Sequence, residues 1–353
     1  MTPVVERGTA PSVPRSADVA RLAGVSRKTV SRVLNNEPYV SDEARRRVLA
    51  AAEELGYRLN HAARALASGR TRSIGVVALG TAGYGTASLL VHIEQAVRDA
   101  GYALRVVNTP DGDPEGIAGA MESLLEQGVD GVVVSEPIVE GEVRVRADVP
   151  VLFLGAPPAF DARRTLAVDV AAHSLARAAT EHLLDLGHAT VHHVSGPPRW
   201  YVSKDRLEGW RAALAARGAH EPPVVEGDWS AESGYTAGLE LAGDSSVTAV
   251  FAAGDEMAIG LIHALREAGR RVPEDVSVVG FDGNPVFAYV SPPLTTVRQP
   301  FDAAAREGIR LLMHAIEKPG TELPQPSEPP VELVVRGSTA PPPSHQNQTV
   351  RTT

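Results

Sequence analysis

The chain has 353 residues, 43% of them hydrophobic, enough for two or three folding units with sizeable cores. It contains no cysteine, which excludes disulfide staples, thiolate zinc sites and thiol catalysis and fits a reducing compartment. The net charge of −9 is unevenly spread: residues 1–72 hold 13 Lys and Arg against 7 Asp and Glu, the remainder 21 against 36, as expected of a basic module joined to an acidic body.

Residues 1–15 are polar and proline-containing, and read as a disordered tail rather than a secretory leader. No later stretch approaches the ~18 uncharged apolar residues of a membrane span, so a cytoplasmic protein with no membrane partner is expected. Ser16 can cap a first helix in which Val19, Ala20 and Ala23 recur at helical spacing before Gly24 ends it. Ser26 can cap a second helix over 27–34, with Val30 and Val33 facing inward. Arg27, Lys28, Ser31 and Arg32 then share an arc of about 140° on its other side. Ser41, followed by Asp42 and Glu43, opens a third helix with Val48, Ala52 and Leu55 as its apolar stripe and Gly56 as its stop. Three short helices with a tight turn between the first two form a helix-turn-helix pattern, whose second helix enters the DNA major groove.

From ADVARLAGVSRKTVSRVLNNEPYVSDEARRR to ASGRTRSIGVV, the sequence resembles the start of a lactose-repressor (LacI/GalR) family regulator almost position by position. The resemblance implies double-stranded DNA as partner, with Arg27, Lys28 and Arg32 as base-reading side chains and Thr29, Ser31 and Asn35 positioning the helix on phosphates. For Thr29 the competing reading is a cap. NHAARALAS (60–68) corresponds to the family's hinge helix, too short to be stable alone, and Leu66 to the residue wedged into a minor-groove step. A lone Leu on a small helix could otherwise simply pack.

From Ile74 the rhythm changes to short apolar runs at 74–79, 103–108, 131–135 and 149–155, then 190–196, 247–254 and 275–282, separated by helical patterns. Such runs are buried parallel strands of an α/β fold, and two series indicate two similar lobes. The resemblance continues to about residue 340. It implies an all-α helix-turn-helix head plus an α/β periplasmic-binding-protein-like body of two parallel-sheet subdomains. The expected boundaries are a head over 16–59, a hinge over 60–70, one subdomain over 72–170 and 298–328, another over 171–297 and 329–340, and a disordered tail over 341–353.

Ligands of open parallel sheets bind beyond the carboxyl ends of the strands. There the resemblance implies an effector site of Arg206, Trp229, Asp255, Asp282 and Phe301, and before the first body helix Thr81, Tyr84 and Thr86 can add polar or stacking contacts. Arg206 has the fork geometry for hydroxyls or a carboxylate, Trp229 stacks on a sugar ring, and the aspartates accept hydroxyl hydrogen bonds. Asp255 could instead cap a helix beginning at Glu256, and Trp229 could be core. Gly155 and Gly254 stand where sugar-binding relatives carry polar residues, which weighs against a lactose-like effector. The expected effector is a small molecule, a sugar, with a nucleobase or nucleoside corepressor as the alternative.

Other chemistries have little support. The glycines of GTAGYG fall at 80, 83 and 85, which is not dinucleotide-binding spacing. His192 and His193 are adjacent in a strand and point to opposite faces, so with His188 they make a poor metal set. No enzyme activity, cofactor or metal is expected. A transport-type binding protein would share the body but lack residues 16–68. Two half-sites of a pseudo-palindromic operator require two recognition helices, hence a homodimer, and the tail after residue 337 has no heptads to make a tetramer.

Overall fold

The computed structural model describes residues 14–34, 38–57, 69–79, 83–109, 114–135, 146–155 and 162–343. Asn35, Leu66, Thr81, most of the hinge and both termini lie outside them. The chain divides into two compact units, residues 1–71 and 72–353.

The first unit holds α1 (Ser16–Ala23), α2 (Arg27–Leu34) and α3 (Asp42–Glu54). Their core is Val19, Ala20, Ala23, Val30, Val33, Val48, Ala51 and Ala52. Val19, Val30 and Val48 are fully buried, each contributing roughly 1.5–3 kcal/mol by leaving water. Ser16 is the first helical residue rather than the cap. The Arg15 backbone N–H, just before the helix, instead donates to the Asp18 carboxylate at 2.9 Å. Gly24, with φ 63°, supplies the left-handed residue that stops α1. Ser41 caps α3 by accepting from the Ala44 N–H at 3.3 Å.

The second unit is a pair of α/β lobes. In the first lobe, β1 (Ser73–Leu79), β2 (Ala103–Thr109), β3 (Gly131–Val134), β4 (Ala147–Leu154) and β5 (Ala162–Val168) form one parallel sheet in the order β2-β1-β3-β4-β5. The helices α4 (Tyr84–Asp99), α5 (Pro114–Glu126) and, from far along the chain, α10 (Phe301–Glu317) pack on it.

The second lobe contains β6 (His192–Ser195), β7 (Val225–Glu226), β8 (Ala249–Ala252), β9 (Ser277–Asp282), β10 (Thr295–Arg298) and β11 (Glu332–Val334). Their order is β11-β10-β9-β8-β6-β7, with only β11 antiparallel to its neighbour. Its helices are α6 (Ala172–Asp185), α7 (Tyr201–Arg217), α8 (Ala231–Ala242) and α9 (Asp255–Glu267). The chain passes between lobes three times, from β5 to α6, from β10 to α10 and from α10 to β11. Every described strand of β3, β8 and β9 is buried along its whole length, which is why these segments read as unbroken apolar runs.

Close packing of α8 on α9 depends on two glycines. A Cβ at Gly260 would stand 1.8 Å from the Ala231 carbonyl oxygen, and one at Gly234 would stand 2.0 Å from that of Met257. The two helix starts, with Trp229 and Ser230 before one and Asp255 and Glu256 opening the other, are thereby brought together beyond the carboxyl ends of β7 and β8. No helix among the described residues is long and apolar enough to cross a membrane.

Candidate functional site

In the first unit, Arg27, Lys28 and Ser31 are exposed on the face of α2 opposite Val30 and Val33, and Arg32 is half-buried. Thr29 is half-buried beside Ser26, whose hydroxyl accepts from the Thr29 N–H at 3.1 Å and shares a hydrogen bond with the Thr29 hydroxyl at 2.9 Å. Ser26 thus caps α2 and holds its first turn. The result is a short helix anchored by two valines and a capping serine, presenting a polar cationic face to solvent.

In the second unit, a cavity of about 390 Å³ opens at the carboxyl ends of the strands, between the lobes. The first lobe supplies Gly83, Tyr84, Gly85 and Thr86, the first turn of α4. The second lobe supplies Trp200, Arg206, Asp228, Trp229, Glu256 and Asp282 among others, and Gln299 enters from the crossover before α10. Of the residues singled out from the sequence, Tyr84, Thr86, Arg206, Trp229 and Asp282 line this one cavity. Phe301 lies next to it: its ring meets that of Tyr84 edge-on at 6.2 Å, and it lines a smaller adjoining recess with Arg206 and Gln299.

Asp255 is placed differently. It is fully buried and is not among the cavity-lining residues. Its oxygens accept from the Thr296 hydroxyl at 2.6 Å and the Asn284 N–H at 2.8 Å. It is the first residue of α9 and makes no cap; Gly254 holds that position. Burial, and then the nearby Asp282 carboxylate, push its carboxyl well above the usual range. Through Asn284 and Thr296, Asp255 fixes the turn that carries Asp282, a residue with the unusual φ of 119°.

Arg206 is 5% exposed. Its guanidinium lies 3.8 Å from the centre of the Phe281 ring and 5.1 Å from that of Trp229. It donates to the Ala253 carbonyl, and its Nη2 stands 3.7 Å from Asp282 Oδ1, which also accepts from the Gln299 amide. A desolvated charge needs such partners, and the stacked geometry fixes the plane of its fork.

Trp229 adopts φ 75° and lays its ring on the backbone at Gly196, where a Cβ would stand 2.1 Å from the ring edge. Trp200 meets it at 5.7 Å and 69°, making an aromatic corner. Beside it, hydrogen bonds from the Ser230 hydroxyl and backbone N–H hold Asp228 below the usual carboxylate range.

His193 and His188 have structural partners. His193 is stacked between Trp210 and Phe251, and burial lowers its pKa to about 4. His188 bonds Thr248, Ser277 and the Ala340 carbonyl, tying the C-terminal segment to the second lobe. Among the described residues no group of three His, Asp or Glu side chains is placed to hold a metal ion.

The model of the lacI family of bacterial regulatory proteins matches residues 17–60, and that of a periplasmic binding protein-like domain matches residues 180–339. The chain is 34% identical to the ribose operon repressor of Escherichia coli strain K12 over 331 residues, spanning 91% of this chain and 98% of that protein. The chain belongs to the LacI family. Solved structures of the family agree with the fold. The lac repressor dimer bound to operator and the anti-inducer ONPF matches with a TM-score of 0.75 and 30% identity, covering 92% of this chain and 98% of that one. A complex of the transcriptional regulator CelR with cellobiose matches with a TM-score of 0.65 and 32% identity, covering 92% and 99%. Members of the LacI family are transcription regulators, so the helical unit is a DNA-binding head and the paired lobes a regulatory body.

Trp200, Asp228, Glu256 and Gln299 were not singled out from the sequence. Three of them adjoin a residue or motif that was: Asp228 precedes Trp229, Glu256 follows Asp255, and Gln299 lies in the VRQP run before Phe301.

Proposed function

We propose that this protein represses transcription as a cytoplasmic homodimer on a pseudo-palindromic operator, and that a small saccharide held between the lobes of the body sets its DNA affinity. Arg27, Lys28 and Arg32 read base edges in the major groove, while Thr29, Ser31 and Asn35 position the helix on phosphates and Leu66 enters the minor groove. In the cleft, Arg206 and Asp282 orient hydroxyls, Trp229 offers a face to a sugar ring, and Tyr84 and Phe301 complete the wall from the first lobe. Asp255 acts from behind, by holding the Asp282 turn.

The observation that carries the effector reading is the 390 Å³ cavity in which Tyr84 meets Arg206, Trp229 and Asp282. Its size falls in the range of small-molecule sites, roughly 300–1,000 Å³, and its walls combine aromatic faces with a few fixed polar groups. The cellobiose complex of a structural relative and the likeness to a ribose operon repressor support the saccharide reading. Because the two lobes share the ligand, a ligand preferring one closure state shifts the body between states, and only that differential affinity can alter DNA binding.

Two measurements test this. In a gel shift at physiological salt on DNA upstream of its own gene, the full chain should bind about 100-fold more tightly than an Arg27→Ala/Lys28→Ala variant, each base contact being worth about 1–3 kcal/mol. Equal binding by both would remove the DNA reading. A thermal-shift screen of sugars and nucleobases should return a saccharide whose stabilisation disappears in Arg206→Ala; a hit that persists there places the ligand elsewhere.

A further inference from the structure

The first turn of α4 carries no acidic side chain, and its cap residue is Gly83, which has no side chain to offer. A helix start of this kind presents backbone N–H groups and the positive end of the helix dipole, the ordinary seat of an anion. Here the opposite lobe fills that seat. Glu256 Oε1 accepts from the Tyr84 N–H at 3.3 Å, and the next residue, Gly85, lies against Asp282, where a Cβ would stand 3.6 Å from Oδ1. Two carboxylates of the second lobe therefore face the helix end of the first.

The charges around the cavity point the same way. Among the described lining residues, Asp228, Glu256 and Asp282 stand against one guanidinium, that of Arg206. That guanidinium is already engaged by the Ala253 carbonyl, by Asp282 and by the faces of Phe281 and Trp229. At the start of α4 an incoming phosphate or carboxylate would meet Glu256 already in place, and the guanidinium among the described lining residues is already engaged. A hydroxyl can donate to each of the three carboxylates.

We propose that Glu256 sets the charge class of the effector: the cleft takes an uncharged saccharide and rejects its phosphorylated or acidic counterpart, because a carboxylate of the chain itself occupies the anion position at the start of α4. The inference rests on the saccharide reading above and names the class of saccharide. Repulsion between like charges about 4 Å apart near a protein surface puts discrimination of tenfold or more within reach of one carboxylate.

The experiment is isothermal titration of the full-length protein with neutral mono- and disaccharides, each paired with its 6-phosphate and its uronic acid at constant ionic strength. The neutral member of the binding pair should be at least about tenfold tighter than either anionic member. Glu256→Gln keeps an acceptor for the Tyr84 N–H and the side-chain shape but loses the charge. It should narrow that gap by about tenfold, the gap being a ratio in which any loss of affinity common to both members cancels. A wild-type preference for the phosphate or the acid overturns the proposal and leaves the saccharide reading standing, and so does an unchanged gap in Glu256→Gln. No response to any saccharide overturns both. Should Glu256→Gln prove unstable, the wild-type comparison decides alone.

Discussion

The two lobes of the body share a fold but meet the cavity with different materials. The first lobe offers a helix start, Gly83 to Thr86, whose contribution is largely backbone and one aromatic ring. Among the described residues, the second lobe offers every charged side chain that lines the cavity, together with Trp200 and Trp229. Four of those side chains are held within their own lobe, Arg206 on Phe281, Asp282 through the turn fixed by Asp255, Trp229 on Gly196 and Asp228 by Ser230, whereas Glu256 accepts from the Tyr84 N–H of the first lobe and Trp200 packs in that lobe's core. Most of the charged wall is thus preorganised in one lobe, and the other contributes a surface that docks on it. Such a division lets ligand affinity and lobe closure be tuned by different residues.

If the second lobe is the preorganised partner, damage there should be costly. Arg206→Ala leaves Asp282 and the Ala253 carbonyl without their buried cationic partner. It should lower the unfolding free energy of the body by about 3–5 kcal/mol in urea denaturation, as removal of one member of a buried pair does. A loss below about 1 kcal/mol, the range of surface pairs, would mean that Arg206 is no part of a fixed wall. A pH scan gives the next effect. His193 has its pKa lowered from 6.5 to about 4, so between those values the unfolded chain binds more protons than the folded one. Stability is full above pH 6.5 and falls as pH drops toward 4, by about 3 kcal/mol in total. Comparing wild type with His193→Phe at pH 7 and 4.5 isolates that share from the opposing carboxyl of Asp255, whose raised pKa favours lower pH.

Much of this wall was legible in the sequence. The interior strands β1, β3, β4, β8 and β9 are buried enough to leave continuous apolar runs, and Arg206, Trp229 and Asp282 sit in or after motifs shared with a known family. Of the edge strands only β2 was legible, as the run at 103–108. In β5, ARRTLAV, exposed and covered positions alternate, so no apolar run marks it; β7 spans two residues, and β11 takes its place by antiparallel pairing with β10 rather than by burial. Asp255 and Glu256 show why the site was only partly readable. They are consecutive in sequence, yet one residue of helix turns the side chain by about 100°. Asp255 therefore points into its own lobe and Glu256 toward the other, and which of the two meets the cavity depends on how α9 is set against β9 and α4. That is a tertiary fact, carried by the tight α8–α9 packing at Gly234 and Gly260.

The smallest effects separate the lobes most sharply, because they ask the same question of a glycine on each side of the cavity. At Gly196 in the second lobe, an added Cβ would stand 2.1–2.5 Å from three atoms of the Trp229 ring. The ring cannot stay where it is, so Gly196→Ala should cost about 1–3 kcal/mol and shift the tryptophan fluorescence. At Gly85 in the first lobe, the nearest atoms to an added Cβ are Asp282 Oδ1 at 3.6 Å and Gln299 Nε2 at 3.7 Å, both ordinary contact distances. Gly85 is in the first turn of α4, where alanine is the better helix former by up to about 1 kcal/mol. Gly85→Ala should therefore leave the urea midpoint unchanged or slightly raised, with the fluorescence unaltered. Equal destabilisation at the two positions would show that the helix start is as tightly fitted as the second-lobe wall, and the division between a preorganised lobe and a docking lobe would fail.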